Sequence, residues 1–288
     1  MQKINFIFIT WLFVVASPLF AVELFDVLTA LKDPQSSSLS MPTPEVDGRM
    51  QTLNKKGAAS PKIDQLTQEF LKHLKGKKAL EIGAAYGQVV MEALKSGATD
   101  YIANDLDRRH LLLAAKNVHA TLPKLEKKVR FCAGEFPIAC RFDDNSFDSV
   151  LAARVLHFMN PEQLVKTTEE FKRILKPKGR VYIIAITPYV NRYVSFIEEY
   201  EKRKKSGDPF PGYVKSLRPY ANPEVTNAKE LANLHDSEFM FLSSTVLSEI
   251  FSQRGFKIIE SKEIALGYES KIWQKDGREN VVFIAEKI

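Results

Sequence analysis

Short apolar runs alternate along this chain with longer stretches whose apolar residues recur every three or four positions. Ala79-Leu80-Glu81-Ile82, Tyr101-Ile102-Ala103-Asn104-Asp105, Val129-Arg130-Phe131-Cys132, Phe147-Asp148-Ser149-Val150-Leu151-Ala152 and Val181-Tyr182-Ile183-Ile184-Ala185 have the length and composition of strands. Between them the period lengthens. Ile63, Leu66, Phe70, Leu71 and Leu74 share one helical face, with Ser60-Pro61 as cap and first-turn proline. A helix is expected from Gln88, another from Arg108 to about Leu122, and a third behind Asn160-Pro161, stopped by Lys176-Pro177-Lys178-Gly179. Strands separated by helices predict an α/β protein with a mostly parallel sheet covered on both faces. Near the end, Leu247, Ile250 and Phe251 form a last helical face. Phe256-Lys257-Ile258-Ile259 and Val281-Val282-Phe283-Ile284-Ala285 follow with only a loop between them, which predicts an antiparallel pair at one edge.

Three stretches break this rhythm. Residues 4–22 are nearly unbroken apolar sequence behind Lys3 and end in Leu19-Phe20-Ala21. That layout predicts a signal peptide over 1–21 and export to the periplasm or beyond; an uncleaved inner-membrane anchor is the alternative. Residues 22–59 are rich in Ser, Pro, Gln and Thr toward their middle and read as a linker, with the folded domain over 60–288. Residues 187–240 form an insertion holding Tyr189, Tyr193, Phe196, Tyr200, Phe210, Tyr213 and Tyr220. So long a segment is expected to be a lid or substrate-binding element, or else a hydrophobic satellite cluster.

Charge and cysteine content narrow the picture only slightly. Lys and Arg number 41 against 35 Asp and Glu, without the long basic tract of a nucleic-acid tail. Cys132 and Cys140 can pair after export or remain buried thiols, and neither sits in a Pro-Cys pair. The histidines and cysteines show no ligand spacing, so no metal site is indicated.

In an open α/β sheet, ligands lie beyond the carboxyl ends of the strands. Gly83-Ala84-Ala85-Tyr86-Gly87 follows the first strand and opens directly into a helix, a unit that sets backbone N–H groups against a ligand. Asp105 ends the second strand, a carboxylate suited to a ribose diol, with capping of the next helix as the plainer reading. Gly134-Glu135-Phe136 follows the third strand, an acid beside an aromatic ring suited to adenine. Ala153-Arg154-Val155-Leu156-His157 follows the fourth.

Glu81-x-Gly83-x-x-x-Gly87, Phe147-Asp148-Ser149-Val150-Leu151, Val155-Leu156-His157, Arg173-Ile174-Leu175-Lys176-Pro177-Lys178-Gly179-Arg180 and Gly255-Phe256 occur in the order seen in one family. The chain resembles the class I S-adenosylmethionine (SAM)-dependent methyltransferases of the small-molecule type, from about Ser60 to the end with the insertion excepted. The resemblance implies a Rossmann-like, seven-stranded sheet with an antiparallel final strand and a lid. It implies SAM as cofactor, held by Glu81, Gly83, Ala84, Gly87, Asp105, Leu106, Glu135 and Phe136, and a small-molecule methyl acceptor. Glu81 would lie near the amino group, Asp105 at the ribose, Glu135 and Phe136 at the adenine. His157 and Tyr86 are the candidate catalytic residues. A SAM-binding module without turnover remains the alternative from another class. A nicotinamide-dependent oxidoreductase is disfavoured because the middle glycine of G-x-G-x-x-G is missing. Lys178 stands where the family usually has a second glycine, and 134–142 departs from its usual wording.

Overall fold

A computed structural model describes residues 24–226 and 237–288. Its first elements lie inside the segment whose composition suggests a linker. Leu24–Asp26 (β1) is a strand and Val27–Lys32 (α1) a helix, capped by Asp26, whose carboxylate accepts the Thr29 N–H at 2.7 Å. Met50–Gln51 (β2) and Ala58–Ala59 (β3) then pair antiparallel as a small hairpin. The next helix, Gln65–Lys72 (α2), starts at Asp64 rather than Ser60, because the Asp64 carboxylate accepts both the N–H and the hydroxyl of Thr67. Residues 60–63 are left outside the helix.

The alternating region follows its predicted course: Lys78–Ile82 (β4), Gln88–Lys95 (α3), Asp100–Asp105 (β5), Arg108–Thr121 (α4), Val129–Ala133 (β6), Phe147–Ala153 (β7), Pro161–Ile174 (α5) and Leu175–Ile186 (β8). Asn160 and Gln163 close a reciprocal capping box at the start of α5. Beyond β8 come Phe196–Lys205 (α6), Tyr213–Val214 (β9), Phe239–Met240 (β10), Ser244–Ser252 (α7), Phe256–Ile264 (β11) and Asn280–Lys287 (β12).

One sheet in the order β1-β6-β5-β4-β7-β8-β12-β11 carries the fold. Strands β6 through β8 are parallel, and β12 and β11 run antiparallel at one edge. The expected seven strands are joined by an eighth, β1, whose Phe25 lies opposite Phe131 of β6 in antiparallel register. Alternation along the strands divides the core. Leu80, Ile82, Val150 and Ile183 pack on one side with Leu164, Phe171 and Phe251. Ala79, Tyr101, Leu151 and Tyr182 pack on the other with Phe70, Val90, Leu112 and Ala30 of α1.

The insertion makes a core of its own. Tyr189, Tyr193, Phe196, Tyr200, Val214 and Phe241 bury one another beside Ile186 at the end of β8. Residues 227–236 of the predicted lid lie outside the described residues, as do residues 1–21 of the predicted signal. Among the described residues no helix is long and apolar enough to cross a membrane.

Candidate active site

At the carboxyl ends of β4 to β7 the chain encloses a cavity of about 550 Å³. Its floor begins at the glycine turn. Gly83 and Gly87 both hold φ +77°, the left-handed region, and a Cβ on Gly87 would come within 2.6 Å of the Ala114 Cβ on α4. Close helix packing, and not only ligand approach, therefore requires that glycine. The N–H groups of Gly83 and Ala84 donate to Asn104 O, and that of Ala85 donates to Asp105 Oδ2 at 2.8 Å. These amides close the turn onto β5 rather than facing a ligand, so the sequence reading of them as ligand donors is corrected.

All the predicted cofactor residues line the cavity: Glu81, Gly83, Ala84, Gly87, Asp105, Leu106, Glu135 and Phe136. Glu81 is 3% exposed and accepts the Tyr101 hydroxyl at 2.9 Å. Burial, reinforced by the nearby charge of Asp105, pushes its carboxyl up to about 8, so the free protein carries it mostly protonated at neutral pH. Asp105 does not cap α4; Asp107 does, through the Arg109 N–H. Instead the Asp105 carboxylate accepts from Ala85 N–H, Asp107 N–H and His110 Nδ1. Leu106 is half exposed, Glu135 accepts the Gln163 side chain at 2.5 Å, and Phe136 stacks on Phe171. Cys132 and Cys140 are joined in a disulfide that closes the loop carrying Glu135 and Phe136.

The two catalytic candidates fare differently. Tyr86 lines the cavity, but its hydroxyl donates to Gln51 O at 2.8 Å and burial raises its pKa. A phenol that is a committed donor and hard to ionise is a poor general base. His157 is absent from the cavity lining. It is 3% exposed, stacked on Phe239 with Phe158 against its edge, and burial together with Arg154 holds its pKa down to about 3. It is therefore a neutral packing residue, its position behind the wall set by the turn at Leu156–Phe158.

The opposite wall draws both on residues 50–59, where the sequence suggested a linker, and on the predicted domain. Met50, Thr52, Ala58, Pro61 and Asp64 face the cavity, joined by Phe158, Met159 and Tyr268. No described residue of the insertion lines it; those described form the satellite core that was the alternative to a lid, and Phe239 packing on Phe158 ties that core to the wall. Residues 50–59 are fixed by Tyr86 on Gln51 O and by the Leu53 N–H donating to His110 Nε2 at 3.0 Å. Farther back, Lys116 Nζ donates to Ser36 O and Leu39 O, and Gln88 donates to Pro61 O. Sequence reading missed His110, whose sole signal is its place one turn after Asp107, and Arg154, held in the left-handed region with its guanidinium on Glu269 and Asn280.

Residues 79–179 match the family of methyltransferase domains. The chain carries a methyltransferase domain. Over 207 residues this methyltransferase is 26% identical to a demethylmenaquinone methyltransferase of Lactobacillus johnsonii, covering 69% of this chain and 77% of that one. Its fold is similar to that of a SAM-dependent methyltransferase from Mesorhizobium loti, with TM-score 0.53, 12% identity and coverage of 77% and 95% of the two chains. A SAM-dependent methyltransferase from Methanosarcina mazei gives TM-score 0.54, 18% identity and coverage of 78% and 98%. The residues present fit the cofactor. Asp105 Oδ2 has one bonded donor and a lone pair to spare for a hydroxyl. A buried carboxyl at Glu81, without a cation beside it, suits a positively charged amino-acid tail. Among the described residues no cluster of His, Cys, Asp or Glu could hold a metal ion.

Proposed function

We propose that this methyltransferase acts on a small molecule seated between the glycine turn and the wall made by Ala58, Ala59, Phe158, Met159 and Tyr268. The observation that carries this reading is the single cavity running from Glu81 and Asp105 to that largely apolar wall. SAM supplies a methyl group already activated on a sulfonium. The chain's part is to orient and to exclude water, an alignment worth roughly 7–11 kcal/mol of a bimolecular barrier. Asp105 Oδ2 takes a ribose hydroxyl, Leu106 and Phe136 flank the adenine, and Glu135, steadied by Gln163, accepts its amino group. Glu81 gives up its proton when an ammonium group arrives beside it. Residues 50–64 keep water from the methyl group.

We also propose that the chain is exported. The apolar start and the Cys132–Cys140 disulfide both support an oxidising destination. Mass spectrometry of the mature protein should find an N-terminus near Val22; Met1 retained on a membrane-bound protein would favour the anchor instead.

Calorimetric titration with S-adenosylhomocysteine tests the cofactor site. Wild type should bind at micromolar levels, and Asp105→Ala should weaken binding by about 1.5–3 kcal/mol, the range for hydrogen bonds to a charged group. Unchanged affinity in a folded Asp105→Ala protein removes Asp105 from the site.

A further inference from the structure

His110 belongs to α4 and is 1% exposed, yet both ring nitrogens are engaged. On one side the Leu53 N–H, in the turn between β2 and β3, lies 3.0 Å from Nε2. A backbone N–H can only donate, so Nε2 carries the lone pair and the ring's proton sits on Nδ1. On the other side that Nδ1–H donates to Asp105 Oδ1 at 2.9 Å. Oδ1 also accepts the Asp107 N–H at 2.9 Å, which fills that oxygen and leaves the open lone pair on Oδ2. The Tyr86 ring packs edge-on against His110 at 5.1 Å while its hydroxyl holds Gln51 O. Two touching rings thus grip the backbone of residues 50–59 at positions two apart, and one of them ends on the Asp105 carboxylate.

Helix formation does not call for this arrangement, since Asp107 already caps α4. If residues 50–59 moved away, Nε2 would lose the backbone N–H it accepts from. Nothing would then fix the tautomer that aims Nδ1–H at Asp105.

We propose that His110 is a positioning residue which joins the covering segment 50–59 to the Asp105 carboxylate, so that cofactor capture and closure of that segment are one coupled event. The proposal rests on the reading of Asp105 as the ribose-binding carboxylate. Coupling of this kind is reciprocal: the factor by which closure tightens cofactor binding is the factor by which cofactor tightens closure.

The test combines S-adenosylhomocysteine titration with amide hydrogen exchange on the full mature chain. In wild type the ligand should slow exchange across residues 50–59. His110→Phe keeps a ring against Tyr86 but removes both hydrogen bonds; it should weaken binding about tenfold or more and abolish that ligand-induced protection. Leu53→Pro removes the donor and leaves the histidine in place, and it should weaken binding similarly. The double variant should bind within about threefold of the weaker single, because both changes break one chain of bonds. His110→Gln, which retains a donor and an acceptor, should recover most of the affinity; a residue that merely filled space would not give this pattern. Wild-type affinity in folded His110→Phe overturns the proposal, as do single effects that multiply in the double variant. Should His110→Phe fail to fold, wild-type affinity in Leu53→Pro overturns it alone. A wild-type chain that binds no S-adenosylhomocysteine brings down the cofactor reading and this proposal with it, whereas loss of coupling with wild-type binding intact brings down this proposal only.

Discussion

Residues 24–59 and the insertion at 187–240 both lie outside the alternating strands and helices, and they are held by different forces. Past Phe25, Val27 and Ala30, the N-terminal segment buries few side chains. Its backbone is gripped by side chains of the domain: Lys116 on Ser36 and Leu39, Tyr86 on Gln51, His110 on Leu53. The insertion instead packs aromatic ring on aromatic ring, with Phe196 stacked on Phe241 and Tyr193 edge-on to the same ring. A segment held by polar grips on its backbone depends on the site beneath it. A segment with its own core depends mainly on itself. The first is suited to answering a ligand, the second to bearing one wall from behind.

The largest expected effect that could break this contrast is Phe196→Ala. Phe196 is fully buried in the satellite core, so the change should cost about 3–5 kcal/mol of stability. Because that core does not line the cavity, affinity for S-adenosylhomocysteine should stay within about twofold at temperatures where the variant is folded. Urea unfolding and calorimetry on one preparation check both halves. A large loss of affinity in a folded variant would restore the insertion to the site.

The contrast also explains what could be read from residues alone. The strands and the glycine turn were legible because they obey local rules: apolar runs, a cap at Asn160, left-handed glycines. That Asp105 and Glu135 meet at one cavity was legible because strand ends in this topology converge on one rim. The cover of the cavity was not. Lys116 and His110 grip carbonyl and amide groups, and a backbone grip leaves no apolar period in Ser36 or Leu39 by which to find it. The insertion's aromatic content announced burial, but composition carries no information on which surface those rings bury against. His157 failed for a related reason. Its place after a strand end was right, and the turn it sits in carries the ring behind Phe158 instead of into the cavity.

A smaller effect sharpens the contrast on the cavity side, where the loop bearing Glu135 and Phe136 is closed covalently by Cys132 and Cys140 across eight positions. Replacing both cysteines by serine should cost about 2–3 kcal/mol of stability, the loop-closure value for a ring of that size. Unlike Phe196→Ala, the double replacement should also weaken S-adenosylhomocysteine binding by a few-fold, because the freed loop must be ordered again on binding. Equal affinity before and after the replacement would show that the loop holds its shape without the bond, through Asn104 donating to Cys132 O and Gly134 O.

The smallest expected effect belongs to Tyr86, and it decides between two roles. As a grip on the covering segment, Tyr86 contributes one hydrogen bond to Gln51 O, a contact worth about 0.5–1.5 kcal/mol. Tyr86→Phe should therefore weaken S-adenosylhomocysteine binding by roughly two- to twelvefold, speed amide exchange at residues 50–53, and leave kcat within about twofold once an acceptor is known. As the general base suggested by its place in the turn, it would contribute about 10²–10⁴-fold to kcat and little to cofactor affinity. The geometry favours the grip, since the hydroxyl proton already points to a carbonyl and burial opposes ionisation. A kcat lowered a hundredfold with unchanged affinity would return Tyr86 to the chemistry. It would also leave His110, on α4, as the hydrogen-bonding grip that the domain's described side chains keep on residues 50–59.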